Sequence, residues 1–288
     1  MKTLVLGSSG QLGQALAETV PDAAGFVGAD LPELDITDAV AVLEICSNKR
    51  PDVIINAAAY TAVDKAETEL DLASAANVTG PQNIAAAANC TGARLIHIST
   101  DFVFDGSATS PYRPDAEVRP LSVYGRTKRD GEVAVLDAMH DSAAIVRTAW
   151  LYSKTGGNFV KTMLRLMGER DELSVVADQR GTPTWANSLA EAVWGLAAVP
   201  TISGVFHWTD GGECSWHEFA LAIQEEALSL EILDRKILVH PITTEEYPTP
   251  AARPRYSVMD CAATCAALHI QPTPWRVNLR RMLKGMNT

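Results

Sequence analysis

The chain has 288 residues, 47% hydrophobic and 20% charged, with a formal charge of −11. This is the composition of an ordinary soluble globular protein, large enough for one sizeable domain or two unequal lobes. The acidic balance argues against a nucleic-acid partner, and no apolar run approaches the ~18 residues of a membrane span.

From the N-terminus, MKTLVLG leads straight into a strand, with no basic leader or cleavage site, so a cytoplasmic location is expected. Helix QLGQALAETV follows strand KTLVL. Then come strand GFVGAD, helix DAVAVLEICSNK, strand DVIINAA, a long helix around DLASAANVTGPQNIAAAANC and strand ARLIHIS. A loop from Asp101 to Ser122, a helix carrying Tyr124 and Lys128, and strand SAAIVRT complete the regular part. Strands alternating with helices imply an α/β fold: a Rossmann-type doubly wound parallel sheet, covered on both faces. After Trp150 the alternation is lost and prolines multiply, as in ITTEEYPTPAARPRYS. Residues 1–150 are therefore expected to form a dinucleotide-binding domain. Residues 151–288 are expected to form a smaller mixed, mainly substrate-binding lobe, with segments returning to the first.

The five cysteines are scattered and form no CxxC pair, so neither a disulfide framework nor a zinc site is indicated. HWTDGGECSWHEF offers His207, Cys214 and His217, but Ser215 and Glu218 read as a capping box opening the helix from Trp216. That account leaves nothing for a metal to explain.

Between the first strand and first helix, LVLGSSGQLGQAL places Gly7, Gly10 and Gly13 in a G-x-x-G-x-x-G array. Glycines there allow a tight turn and close approach of backbone to a pyrophosphate, which the helix N-terminus then attracts. Asp30, at the end of the second strand, suits a ribose 2′-OH and repels a 2′-phosphate, and LPEL after it holds no arginine. NADH is mildly favoured on that ground, while Ser8 and Ser9 leave room for NADPH.

STDFVFDG follows the strand ARLIHIS, placing Ser99, Thr100 and Asp101 at the sheet edge where ligands bind. In SVYGRTK, Tyr124 and Lys128 stand four positions apart and so share a helix face. A nearby ammonium favours phenolate, so Lys128 is expected to lower the tyrosine pKa and to hold a nicotinamide ribose.

Together these stretches resemble the extended short-chain dehydrogenase/reductase superfamily, and more narrowly the dTDP-4-dehydrorhamnose reductases. The likeness runs over nearly the whole chain, in GSSGQLGQAL, PDVIINAAAYTAVDKAETE, STDFVFDG, VYGRTK, RTAWLY, NFVKTML, DQRGTPT and YPTPAARPRYS. AAYTAVDKAE with DQRGTPT and TPAARP is the specific part. The resemblance implies Thr100, Tyr124 and Lys128 as the catalytic set and Asn77 as a structural or relay asparagine. It also implies that Gly10, Gln11, Leu12, Asp30, Asp35, Ile36, Ala59, Tyr60 and Thr61 line NADPH or NADH, and that Asp101 and Trp150 contact substrate. The implied reaction is reduction of the 4-keto group of a dTDP-sugar, dTDP-4-dehydro-β-L-rhamnose. Some members of the family hold magnesium between subunits with carboxylates; the corresponding places read Ala15 and Asn187, so no metal is expected, and a monomer or weak homodimer is.

The acidic chain needs a local cationic site for the diphosphate of a nucleotide sugar, and Arg253 and Arg255 in AARPRYS are the candidates, Arg253 first. Other readings are an epimerase or dehydratase of the same superfamily, or a non-catalytic regulatory subunit related to the methionine adenosyltransferase partner protein. A dehydratase would want a Glu after Asp101, and none follows. A pure binding module need not keep Thr100, Tyr124 and Lys128 together.

Overall fold

A computed structural model describes residues 1–286. Its first half runs β1 (Lys2–Leu6), α1 (Gln11–Glu18), β2 (Gly25–Ala29), α2 (Ala39–Lys49), β3 (Val53–Asn56), α3 (Val63–Ala66) and α4 (Leu70–Ser74). After a π-helical turn at Ala75–Thr79 come α5 (Gly80–Thr91), β4 (Arg94–Thr100), a 3₁₀ turn at Asp101–Val103, α6 (Val123–Met139) and β5 (Ala143–Thr148). The second half contains β6 (Leu151–Tyr152), α7 (Phe159–Glu169), β7 (Glu172–Val176), β8 (Arg180–Gly181), β9 (Thr184–Trp185) and α8 (Ala186–Ala198). It continues with β10 (Gly204–His207), β11 (Cys214–Ser215), α9 (Trp216–Ser229), β12 (Leu238–Ile242), α10 (Ala262–Leu268) and α11 (Trp275–Lys284).

Six strands form one sheet in the order β10-β5-β4-β3-β1-β2, every neighbouring pair parallel. VIIN of β3 and AAIVRT of β5 are buried along their whole length, as strands covered on both faces must be. One face packs on α1 and α8 through Val5, Leu16, Ile55, Leu189 and Val193; the other packs on α2, α5 and α6 through Leu6, Ile54, Ile84 and Val135. β10, late in the chain, supplies the sixth strand, and α8 covers the sheet between β9 and that return. The strand order reverses between β1 and β3, and in an open parallel sheet ligands collect at such a point, outside the carboxyl ends of the strands.

A separate apolar cluster joins α7, β7, α9 and α11 through Tyr152, Met163, Leu173, Phe219, Ile223 and Leu279. α9 opens as its sequence requires: Ser215 Oγ accepts from Glu218 N, and Glu218 Oε2 accepts from Ser215 N, both halves of the capping box. His217 is turned to the Val239 carbonyl instead of toward Cys214 or His207.

The stretch read as one long helix is α4, the π-helical turn and α5 in succession. The inserted residue turns Asn77 inward, and its carbonyl lies where a side chain at position 131 of α6 would have to be. No helix among the described residues is long and apolar enough to cross a membrane.

Candidate active site

The carboxyl ends of β1, β3, β4 and β5 bring the glycine loop, the segment from Ala57 to Thr61, Thr100 and Trp150 to one edge of the sheet. Gly7 has φ +78, and a Cβ there would stand 2.5 Å from Ala58 N, so the loop closes on the end of β3 only with glycine. α1 then starts with no side-chain cap and no acidic residue in its first turn, leaving its first N–H groups and its positive end to an anion. Leu12 is buried in the core, so what it offers a ligand is its N–H. These features fit a dinucleotide's pyrophosphate.

Asp30 folds over the same loop. Its Oδ2 accepts from Ser9 N at 2.8 Å and its Oδ1 from Leu31 N at 2.8 Å, so the carboxylate shapes the turn beside the glycine loop. Asp35 caps Thr37 through backbone and hydroxyl, and Ile36 is buried against Gly80. Ala59 and Tyr60 are half-buried and Thr61 exposed on the strand-end loop. The Tyr60 hydroxyl is taken by Glu69, which pushes its pKa up to about 12. Gln11 reaches across the edge: its Oε1 accepts from Ser153 Oγ and Asn158 Nδ2, both at 3.0 Å.

Thr100, Tyr124 and Lys128 converge at the end of β4. Ser122 caps α6 by accepting from Gly125 N, and Glu67 Oε1 accepts from Val123 N at 2.8 Å. A Cβ at Gly125 would lie 2.2 Å from Phe102 O, so only glycine lets the tyrosine helix seat on the STDF turn. Tyr124 packs edge-on to Phe102 with centroids 5.5 Å apart. Lys128 Nζ donates to the Ile98 carbonyl at 2.7 Å, and Asn77 ties the Tyr60 backbone to Thr127 on the same helix. His97 lies beneath, accepting from Asn56 Nδ2 at 3.0 Å on Nδ1 and held neutral by burial and by the Lys128 charge.

The expected lowering of the tyrosine pKa is not found. Tyr124 is 8% exposed, and burial raises its pKa to about 12; a hydrogen bond with Thr100 opposes this, and the Asp101 charge adds to it. Lys128 is itself pushed down to about 8 by burial, against the pull of Glu132. Desolvation sets both shifts because both groups are inside the protein, and the Lys128 ammonium is turned to the Ile98 carbonyl. A tyrosine that keeps its proton at neutral pH is in the form needed to give one.

Near this set, Ser99 Oγ and Thr148 Oγ1 are buried without hydrogen-bond partners among the described residues. Asp101 Oδ1 accepts from the Thr100 hydroxyl at 3.1 Å; burial raises its pKa to about 6, opposed first by a hydrogen bond from Ser257. Nothing in the local sequence points to Ser257, which arrives from the far end of the chain. Trp150 has φ +46 and stacks on Trp216 at 3.5 Å with its ring over Gly181, so it forms a wall where the two halves of the chain meet.

The two arginines are both paired. Arg253 is held by Asp64 through both terminal nitrogens, at 3.0 and 2.7 Å, and Arg255 by Glu245 in an exposed pair. Ala15 is buried at the contact of α1 with α8. Asn187 donates to Glu18 Oε2 at 3.4 Å, and Lys154 neutralises that carboxylate at 2.9 Å.

Residues 1–288 match the family described as "RmlD substrate binding domain". The dTDP-4-dehydrorhamnose reductase of Aggregatibacter actinomycetemcomitans is 40% identical over 98% of each chain. The chain belongs to the dTDP-4-dehydrorhamnose reductase family. Within it, the solved reductase of Clostridium acetobutylicum is 42% identical, covers 100% of both chains and superposes with a TM-score of 0.93. That of Bacillus anthracis str. Ames, solved in complex with NADP, is 39% identical over 99% of each chain, with a TM-score of 0.93.

Proposed function

We propose that this chain reduces the 4-keto group of dTDP-4-dehydro-β-L-rhamnose to give dTDP-L-rhamnose, as its family's named members do. The observation that carries the reading is the meeting of Thr100, Tyr124 and Lys128 beside an uncapped glycine-loop helix in a full-length member of that family. When bound, NADPH or NADH supplies a hydride to the carbonyl carbon.

The chain's own residues do the rest. Gly7, Gly10, Gln11, Leu12 and Gly13 hold the pyrophosphate by N–H groups and close approach, and Asp30, Asp35, Ile36, Ala59, Tyr60 and Thr61 border the adenosine and nicotinamide halves. Lys128 holds the nicotinamide ribose. Tyr124 gives its proton to the sugar oxygen as negative charge develops there, and the Thr100 hydroxyl donates to the same oxygen. Asp101 and Trp150 position the sugar, and Arg253 or Arg255 meets the diphosphate. We propose the division into a dinucleotide-binding part, 1–150, and a mainly substrate-binding part, 151–288, together with action in the cytoplasm as a monomer or weak homodimer.

Following NAD(P)H oxidation with the keto sugar tests the reading. Turnover dependent on Tyr124 supports it. Binding of coenzyme without turnover would favour the regulatory-subunit reading, and turnover only with another nucleotide sugar would favour a different member of the superfamily.

A further inference from the structure

The face of α6 that carries Tyr124 and Lys128 carries a third group one turn further on, Glu132. It is 3% exposed, and both its oxygens are taken by Arg147 of β5, Nε at 2.9 Å and Nη2 at 2.7 Å. Arg147 is 4% exposed, donates to the Pro114 carbonyl and lies 5.2 Å over the Phe104 ring. A fully buried ion pair is a weak contributor to stability, because desolving two charges offsets their attraction. Its place in the molecule suggests another use. Tyr124, Lys128 and Glu132 follow at intervals of four along the helix, so the carboxylate borders the ammonium. The charged and titratable groups facing Lys128 are then Tyr124 and Glu132 on its own helix, His97 on β4, held neutral, and Arg147 on β5, lying beyond Glu132.

We propose that Glu132, clamped by Arg147, is a positioning residue that keeps Lys128, whose Nζ donates to the Ile98 carbonyl at 2.7 Å at the end of β4, charged and in place for the coenzyme ribose. Burial alone drives the lysine toward its neutral form, in which it has lost a donor and its charge. His97 cannot compensate, being neutral itself and repelled as a cation by Lys128. Glu132 supplies the one negative charge acting on the ammonium among those neighbours, and Arg147 fixes that charge in place without touching the lysine. Through Pro114 and Phe104 the same arginine ties the arrangement to the loop that follows Thr100. The inference rests on the reductase reading only for its kinetic readout.

The test is Glu132→Gln in the full chain, followed in two ways: the pH dependence of NADPH affinity from fluorescence, and the pH dependence of kcat/KM with the keto sugar. Loss of the carboxylate leaves Arg147 unpaired, and both changes lower the lysine pKa, so the alkaline limb moves to lower pH by roughly one unit, the scale of a single close charge. Lys128→Arg, whose side chain does not titrate below about pH 12, removes that limb from the binding profile and assigns it to Lys128. Glu132→Asp restores the limb toward its original position. A folded Glu132→Gln protein with an unmoved limb, altered only in unfolding temperature, overturns the proposal and leaves the pair structural. If the single variant does not fold, the double variant Glu132→Gln/Arg147→Met, which leaves no lone buried charge, carries the same expectation with a smaller shift. Wild-type protein that binds NADPH with this pH dependence but does not turn over the sugar refutes the reductase reading and leaves this one standing.

Discussion

Asp64 and Arg253 lie 189 residues apart and meet in a two-pronged ion pair, reinforced by a hydrogen bond from Ala251 N to the same carboxylate at 3.2 Å. The pair joins the segment AAYTAVDKAE, which borders the strand-end loop, to the Pro-rich segment TPAARP. The Arg253 hydrogen bond is the main reason the Asp64 carboxyl is held below its ordinary range. Two of the three stretches that most specifically carry the family resemblance thus meet in space. With its fork on Asp64, Arg253 is the better held of the two candidate arginines, and Arg255, in an exposed pair, is the more readily released.

The consequence is a pair of mutants. Arg253→Ala is expected to raise KM for the nucleotide sugar at least about tenfold, or 1.4 kcal/mol, with KM for the coenzyme unchanged. Asp64→Asn, which frees the guanidinium, is expected to change the sugar KM far less. If both substitutions raise KM and lower the unfolding temperature alike, Arg253 is an anchor for the Pro-rich segment and the diphosphate lies on Arg255 or elsewhere.

Tyr124→Phe removes the hydroxyl beside Thr100 and keeps the ring packed on Phe102. We expect kcat to fall at least roughly a hundredfold, the scale of a lost general acid, while coenzyme affinity holds. Near-normal turnover in steady-state assays would remove Tyr124 from the chemistry.

Asp30→Ala should favour NADPH over NADH in the ratio of kcat/KM, because the carboxylate that repels a 2′-phosphate is gone. Asp30 also anchors Ser9 N, so both coenzymes are expected to bind less well. The ratio, not either constant, is diagnostic; a ratio equal to wild type means Asp30 only shapes the loop.

Two buried acids make stability depend on pH. Burial raises Asp210 to about 7 and Asp101 to about 6. The unfolded chain releases these protons near the ordinary value of about 4, so between roughly pH 4 and 7 the folded state binds more protons and stability falls as pH rises. Asp210 lies in the turn after β10, where its Oδ2 accepts from Trp185 N at 3.1 Å, a bond an asparagine oxygen can keep. Denaturation of Asp210→Asn at pH 5 and pH 8 should show a smaller difference between the two than wild type. An equal difference would mean that Asp210 ionises normally.

Much of this protein was legible along the chain because the physics involved is short-range. Burial on both faces writes VIIN and AAIVRT as unbroken apolar strands. A turn that must approach a phosphate needs Gly7, and a helix start needs Ser215 with Glu218 three residues on. The four-residue spacing of Tyr124 and Lys128 follows from helix geometry alone, and Glu132, one turn further, was open to the same reasoning. What tertiary structure decided is what depends on desolvation and on partners distant in sequence. Whether Lys128 lowers the tyrosine pKa or burial raises it turns on how much water surrounds both, and spacing carries no information about that. The same holds for the choice of Asp64 by Arg253, the stacking of Trp150 on Trp216, the approach of Ser257 to Asp101 and the return of β10 to the sheet. Each pairs segments that nothing local brings together, and each is settled by the packing of the whole chain around its cores.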